Sequence, residues 1–416
     1  LDAEYYQPEY LESVNRLNTL GSDNLQSVSS KIDVGFVSSM TSHFLETGIP
    51  LLRTQNIKEF SIDTSDVIYI DEDFHKKLKK SQLFPNQVLI GRSGTIGDAA
   101  VVPEGFPLSN SADIIIVEPK APCDPYYLTA FLNSKYGRFQ IERSSSGGLQ
   151  GHMNLYSLEK LLVPLFDSDL QKLVRNLVLD GLAEIKRSET LYFEAENLLL
   201  GELGLIDFKP PEDLSFVVNF SELKSANRVD SDFFQPKYDN LIQKLGKSGQ
   251  PLYSLAPSKK KIAKISKETT YKYIEISDVN VLNGEVLFNE IPGSELPANA
   301  KMKINGGELI ISKVRPTRGA IGIIPEEWKD NLIASGAFSV FTPSSPLREY
   351  LHVVLRSVIG KLQLEKPATG TSYPTVTDKD VENLIIPILS IETQQKIADL
   401  VRQSLEARKK SKELLE

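Results

Sequence analysis

The sequence predicts an α+β fold in which two copies of one strand-rich domain are joined by two long antiparallel coiled-coil helices, with internal pseudo-two-fold symmetry. Three observations predict it. The chain repeats itself at one long shift, each copy carries short apolar runs bounded by turn formers, and each copy ends in a long stretch with apolar residues at helical spacing.

Three anchors define the repeat. The opening Leu1-Asp2-Ala3-Glu4-Tyr5-Tyr6-Gln7-Pro8-Glu9-Tyr10 returns as Val229-Asp230-Ser231-Asp232-Phe233-Phe234-Gln235-Pro236-Lys237-Tyr238, a shift of 230 − 2 = 228. Val88-Leu89-Ile90 and Val101-Val102-Pro103-Glu104 return as Leu309-Ile310-Ile311 and Ile323-Ile324-Pro325-Glu326, at shifts of 221 and 222. Ser157-Leu158-Glu159-Lys160-Leu161-Leu162-Val163-Pro164 answers to Asp380-Val381-Glu382-Asn383-Leu384-Ile385-Ile386-Pro387, a shift of 387 − 164 = 223. Solenoid units run about 20 to 50 residues, so this period marks two copies of a complete domain. The expected division is a first domain over 1–165, a central helix over 166–205, a second domain over 206–388 and a C-terminal helix over 389–416.

Taken in order, Val67–Ile70, Val88–Ile90, Ala99–Val102 and Ile114–Val117 have the form of short buried strands. Tyr273–Ile276, Leu309–Ile311, Ile321–Ile324 and Phe338–Phe341 repeat them. Short helices are expected at about 125–140 and 347–362. From Asp167 to Leu200 a proline-free run places Leu170, Leu173, Val174, Leu177, Leu182, Ile185, Leu191, Ala195 and Leu198 near heptad spacing. Its counterpart, Ile391 to Leu415, puts Ile397, Leu400, Val401, Leu405 and Leu414 on one face, and Lys186-Arg187-Ser188 is echoed by Lys409-Lys410-Ser411. Neither helix hides its stripe alone, and pairing the two copies antiparallel is the economical solution.

Composition narrows the class. At 416 residues, 41% hydrophobic and 25% charged, the chain has room for two cores. Its single cysteine, Cys123, excludes an intrachain disulfide, and a reducing cytoplasm is the expected compartment. No apolar run approaches the ~20 residues that span a bilayer, so no membrane partner is expected. The chain opens at Leu1, where the repeat opens, so trimming of a few preceding residues is expected. A net charge of −8 argues against nucleic acid when taken alone. The lysines nonetheless cluster, at Lys76, Lys77, Lys79 and Lys80 in one copy and at Lys259, Lys260, Lys261, Lys264 and Lys267 in the other. A solvated helix face or loop explains each cluster as readily as a binding patch does.

Catalytic constellations are absent from the sequence. There is no GxxxxGK[ST] loop and no strand-following GxGxxG, and His43, His75, His152 and His352 are scattered, so neither a cofactor nor a metal site is expected in this chain. Asp124-Pro125-Tyr126-Tyr127 superficially resembles an amino-methyltransferase loop but reads better as a helix start. Asp213 with Glu222-Leu223-Lys224 imitates a nuclease spacing but falls in the joint between copies. What stands out is a matched pair of polar turns: Gly91-Arg92-Ser93-Gly94-Thr95-Ile96-Gly97 after one buried run, and Ser312-Lys313-Val314-Arg315-Pro316-Thr317-Arg318-Gly319 after its copy. Arg, Lys, Ser and Thr on tight turns are side chains that reach phosphates and base edges, although solvated turns need no function. A second pair precedes the long helices, at Ser144–His152 and Lys366–Tyr373. The candidate DNA contacts are Arg92, Ser93 and Thr95 in the first copy and Lys313, Arg315, Thr317 and Arg318 in the second.

At these residues the sequence resembles the specificity subunit of type I restriction-modification enzymes. The resemblance rests on Pro50-Leu51-Leu52-Arg53-Thr54-Gln55-Asn56-Ile57, on Asn86-Gln87 leading into the Val88–Gly97 run, and on the apolar-Pro motif followed by Gln171-Lys172-Leu173 and Gln394-Gln395-Lys396-Ile397. It covers essentially the full length and adds Arg53 and Asn56 to the candidate DNA contacts. It implies two target recognition domains, each reading half of a bipartite, asymmetric site in double-stranded DNA. It also implies helices that dock two methyltransferase subunits, and restriction subunits that translocate and cleave. S-adenosylmethionine, ATP and Mg are then expected only in those partners, and this chain is not itself an enzyme. The second copy departs from the pattern, with Tyr271–Val279 in place of Arg53–Ile57 and Pro316 in the loop, so the two domains are expected to read different half-sites. A helix of ~45 Å implies half-sites centred roughly 13 base pairs apart. The competing classes are a stand-alone nuclease or methyltransferase with its own specificity domain, which requires a cofactor or metal site, and a non-catalytic coiled-coil adaptor, which leaves the matched loops unexplained.

Overall fold

A computed structural model describes residues 4–38, 40–94, 96–144, 153–210, 214–246, 249–259 and 262–416. The chain divides into two compact units, Leu1–Ile185 with Lys410–Glu416, and Lys186–Lys409.

In the first unit, Val88–Gly91 lies inside an antiparallel sheet ordered Ser29–Val34, Ile114–Pro119, Val88–Gly91, Ala99–Val101. Alternate residues point to opposite faces, and both faces are covered. Val88, Ile90, Ile115 and Val117 pack with Leu128 and Leu132 of the helix Pro125–Asn133, while Leu89, Ile114 and Ile116 pack with Leu52 and Ile57. A second sheet is ordered Ile68–Ile70, Ile49–Arg53, Asn110–Ala112, its last pair parallel. The short link between Asn110–Ala112 and Ile114–Pro119 is Asp113, at a left-handed φ of 54°. One residue thereby carries the chain from one sheet to the other.

The second unit repeats this plan. Leu309–Ser312 lies between Ile321–Ile323 and Phe338–Phe341, and Thr270–Ile274 pairs in parallel with Leu332–Ser335 and antiparallel with Asn289–Pro292. Leu309 and Ile311 face Leu351 and Leu355 of the helix Leu347–Arg356; Ile310 faces Ile274 and Val279. Individual hydrogen bonds recur as well. Tyr127 Oη donates to Pro164 O at 2.5 Å and Tyr350 Oη to Pro387 O at 2.6 Å (350 − 127 = 223). Gln140 Nε2 donates to Leu162 O at 3.0 Å and Gln363 Nε2 to Ile385 O at 2.9 Å (363 − 140 = 223).

Two expectations from the sequence are corrected. Topology matches Thr270–Ile274 with Ile49–Arg53, since each pairs in parallel with the strand leading to the next sheet, so Tyr273–Ile276 is not the copy of Val67–Ile70. Each expected short helix is broken in two, as Pro125–Asn133 with Lys135–Ser144, and Leu347–Arg356 with Val358–Glu365. The breaks fall at Ser134 and Ser357, extended at ψ 162° and 177°. A Cβ at Gly137 would stand 2.4 Å from the Leu132 carbonyl oxygen, and one at Gly360 2.0 Å from that of Leu355, so the second helix crosses the end of the first where only glycine fits.

The long helices are Ser168–Glu202 and Ile391–Leu415. Within the second unit, Ala195 and Leu199 pack with Ile397 and Val401, and buried Ser404 Oγ donates to Ser188 O at 2.8 Å. Within the first, Lys410 Nζ donates to Glu184 at 2.5 Å, and a Cβ at Gly181 would meet Leu415. Residue numbers fall along one helix as they rise along the other, so the contacts are antiparallel. No helix among the described residues is long and apolar enough to cross a membrane.

Candidate functional site

The first turn leaves the sheet at Gly91. Arg92 folds back: Nη1 meets Asp113 Oδ1 at 2.7 Å and Nε donates to Met153 O at 3.0 Å. Ser93 Oγ donates to Asp113 Oδ2 at 3.0 Å, and Thr54 Oγ1 donates to the Asp113 carbonyl at 2.9 Å. Asp113, the crossover residue, is therefore the hub of the turn, and Arg92 and Ser93 converge on it. From behind, Arg138 of the helix Lys135–Ser144 donates to Ile96 O and pairs with Asp98 at 2.6 Å and Glu59 at 2.7 Å. Thr95 lies outside the described residues, as do Gln150 and His152 of the pre-helix loop, most of which spans 145–152.

Arg53 and Asn56 have different surroundings. Arg53 retains about a third of its side-chain exposure and sits against Asp66, with Nη2 3.4 Å from Oδ2. Asn56 is buried; its Oδ1 accepts from Arg53 N at 2.8 Å and its Nδ2 donates to Asp63 O and Asp66 O. Its amide is saturated by backbone, so its place among DNA contacts is corrected to that of a turn cap. Asp278 does the same work in the second unit, accepting from Glu275 N at 2.8 Å.

The second turn leaves Ser312. Lys313 Nζ pairs with Asp378 at 2.9 Å, a carboxylate that also accepts from Ser339 Oγ at 2.6 Å. Like Arg92, Lys313 braces the base of its turn. Arg315 is left-handed (φ 47°); its N–H donates to Pro374 O at 2.7 Å, Nη2 donates to Ser372 O at 3.2 Å, and its guanidinium lies 4.1 Å from the Tyr373 ring centre. Tyr373 is largely exposed, on a loop closed by reciprocal Thr369–Thr375 backbone bonds. The polar turn and the pre-helix loop, read separately in the sequence, form one surface. Pro316 is buried beneath it, Thr317 is half-buried and Arg318 is exposed.

Sequence reasoning missed Asp113, Asp378, Arg138 and Arg356, the groups that hold these turns. Their signal was weak: single charges amid apolar or helical runs, far in sequence from what they bind. The lysine clusters are partly neutralised, with Lys76 near Glu72, Lys80 2.6 Å from Asp33 and Lys259 against Glu308. Lys77, Lys79, Lys264 and Lys267 are exposed, and Lys260 and Lys261 lie outside the described residues.

The near misses of catalysis have structural jobs. Asp124 caps its helix by accepting from Tyr126 N and Tyr127 N, and pairs with Arg175 at 2.8 Å. Glu222 closes a capping box with Asn219, and Asp213 is outside the described residues. Burial, with Asp124 adjacent, pushes the Cys123 thiol up to about 12, so it is no thiolate nucleophile near neutrality. Among the described residues no group of three or more His, Cys, Asp or Glu side chains could hold a metal.

Residues 254–416 match the family described as "Type I restriction modification DNA specificity domain". The chain is 22% identical over 392 residues to the putative type I restriction enzyme MjaX specificity subunit of Methanocaldococcus jannaschii, covering 89% of this chain and 84% of that one. It is 29% identical over 155 residues to the type I restriction enzyme HindI specificity subunit of Haemophilus influenzae. That match takes in 36% of this chain and spans about a third (34%) of the relative. The crystal structure of the type I restriction-modification S subunit from M. genitalium aligns over 94% of this chain and 91% of that one, at 14% identity and a TM-score of 0.42.

Proposed function

We propose, from the premise that this chain belongs to the specificity-subunit family of type I restriction-modification systems, that it is the DNA-reading component of such a complex and that each unit reads one half of a bipartite, asymmetric site. The observation that carries this reading is the recurrence, in both units, of a cation-bearing turn directly after the same buried strand. Specificity requires donors whose positions do not adapt to the wrong base, because an adaptable loop finds partners on any sequence. A turn rooted in a strand buried on both faces, and anchored by ion pairs at its base, meets that requirement.

The roles then divide. Arg315, with its guanidinium set against Tyr373, and exposed Arg318 are placed to meet base edges or phosphates, with Thr317 beside them. Lys313, Arg92 and Ser93 hold the turns in shape. The two turns differ in length, in cation and in carboxylate partner, Asp113 against Asp378, so the half-sites they read should differ. The long helices, in this reading, set the spacer between half-sites and dock two methyltransferase subunits, with restriction subunits completing the complex. Methyl transfer and ATP-driven steps, with S-adenosylmethionine, ATP and Mg, belong to those partners. The net charge of −8 fits a chain whose partners supply much of the nonspecific phosphate attraction. A cytoplasmic location follows from a DNA target.

The test is a map of methylated adenine in a host carrying this chain with its neighbouring methyltransferase, against a host lacking only this chain. A bipartite asymmetric motif that disappears with the chain is the expected result. A motif that persists without the chain refutes the reading.

A further inference from the structure

Arg356 is a buried guanidinium with an unusual set of partners. It is 7% exposed, at the end of the helix Leu347–Arg356, and makes no ion pair among the described residues. Nη1 donates to Gly319 O at 2.7 Å and to Ile321 O at 3.2 Å, Nη2 donates to Val281 O at 3.1 Å, and Nε donates to Tyr192 Oη at 3.1 Å. One rigid fork thus ties together the end of the Pro316–Arg318 turn, the turn after Asn280 and the long helix Ser168–Glu202. A buried charge held by carbonyl and hydroxyl dipoles persists only where every donor is satisfied.

Geometry makes this the anchor of the reading turn. The turn enters through Arg315 (φ 47°) and leaves through Gly319 (φ 84°), both left-handed, so its direction is decided at its two ends. The entry is held by Arg315 N–H on Pro374 O, and the exit by Arg356 on Gly319 O. Packing leaves the anchor no slack: a Cβ at Gly284 would stand 2.5 Å from His352 Nε2 and 2.8 Å from Ile321 O. In the first unit the matching position, 356 − 223 = 133, is Asn133, whose shorter side chain bonds the backbone of Ala99 and accepts from Arg138 Nη2 at 3.4 Å, but itself reaches no turn carbonyl among the described residues. In the first unit Arg138, from the next helix, reaches the turn at Ile96 O and is itself held by Asp98 and Glu59, so a fork without an ion pair, at the end of the first short helix, belongs to the second unit among the described residues.

We propose that Arg356 is a positioning residue for specificity in the second unit, holding the Arg315–Gly319 turn in its reading shape and tying that shape to the long helix through Tyr192. The proposal rests on the DNA-reading function above. It also makes sequence preference sensitive to a residue that faces no DNA.

The test uses the full chain with its methyltransferase. Arg356→Lys keeps the charge but replaces the fork with a point ammonium that cannot span Gly319, Ile321 and Val281 together. Tyr192→Phe removes one hydroxyl and leaves the ring. In Arg356→Lys the amides of 318–321 should exchange ~10-fold faster, as expected when a local anchor is lost. One half of the methylation motif should become degenerate while the other half and the spacer persist. Tyr192→Phe should move both readouts in the same direction by less. Unchanged exchange overturns the anchoring, and faster exchange with an intact motif overturns the specificity role. Loss of both halves together in a folded chain assigns Arg356 to general stability and overturns the proposal. If Arg356→Lys does not fold, Tyr192→Phe decides by the same criteria. Absence of any chain-dependent motif with the unsubstituted protein sinks the DNA-reading function itself, a failure visible before any variant is made.

Discussion

Removing the carboxylate of Asp113 separates two jobs for Arg92 that a single Arg92→Ala substitution confounds. The pair is 2.7 Å apart, with side-chain exposures of 25% for Arg92 and 34% for Asp113. Solvent-exposed pairs contribute about 0–1 kcal/mol, whereas breaking a fully buried pair costs about 3–5 kcal/mol. A pair one-quarter to one-third exposed falls between, at about 1–2 kcal/mol of coupling. Urea denaturation of the full chain as Arg92→Ala, Asp113→Ala and the double variant measures that coupling directly. The methylation motif supplies the functional half of the cycle. If Arg92 works by shaping the turn, all three variants degrade the same half-site equally, because each breaks the same brace. If Arg92 itself touches DNA, Asp113→Ala releases the guanidinium and preserves the half-site, while Arg92→Ala destroys it. The expected result is equality; an intact motif in Asp113→Ala, or a coupling near zero, refutes the brace.

Three further outcomes are expected. Deleting seven residues from each long helix removes about 10.5 Å, so the spacer in the methylation motif should shorten by about three base pairs, and an unchanged spacer dismisses the helices as rulers. Burial, with the Arg356 guanidinium beside it, holds His352 well below the usual histidine range. Its folded pKa is depressed, so the unfolded chain takes up the proton first, and stability falls as pH drops below about 6.5, by up to about 1.4 kcal/mol per pH unit. His352→Asn should flatten that slope in denaturation curves taken between pH 7 and 5. Gly360→Ala places a Cβ 2.0 Å from the Leu355 carbonyl and should cost about 2 kcal/mol or more, read as a lowered urea midpoint. The same change at exposed Gly105, where a Cβ meets nothing within 4 Å but φ is 75°, should cost less than at Gly360.

Much of the fold was legible in the sequence, for reasons visible in single elements. Val88-Leu89-Ile90 and Leu309-Ile310-Ile311 are apolar at every position because both faces of their strands are covered. The broken short helices were not foreseen, although Ser134 with Gly137 and Ser357 with Gly360 recur at a shift of 223. Apolar periodicity continued across each break, because both short helices of each pair contribute side chains to one hydrophobic cluster. Of the candidate site, the polar turns were legible and the partners of their cations were not. Arg92 and Lys313 looked like free cations because Asp113 and Asp378 lie 21 and 65 residues away. Asn56 looked like a contact because a saturated amide and an available one are the same letter.

By itself the sequence determined that the chain repeats itself, where several of its buried strands and its long helices run, and which turns carry cations. These follow from periodicity, and periodicity records which side of an element meets water. Only the tertiary structure decided which cation faces a carboxylate, which loop lies against which, and that Arg356 reaches the carbonyls of Gly319, Ile321 and Val281. Those are pairings between distant residues. Their energies depend on ångström separations and burial, which no local pattern of letters encodes.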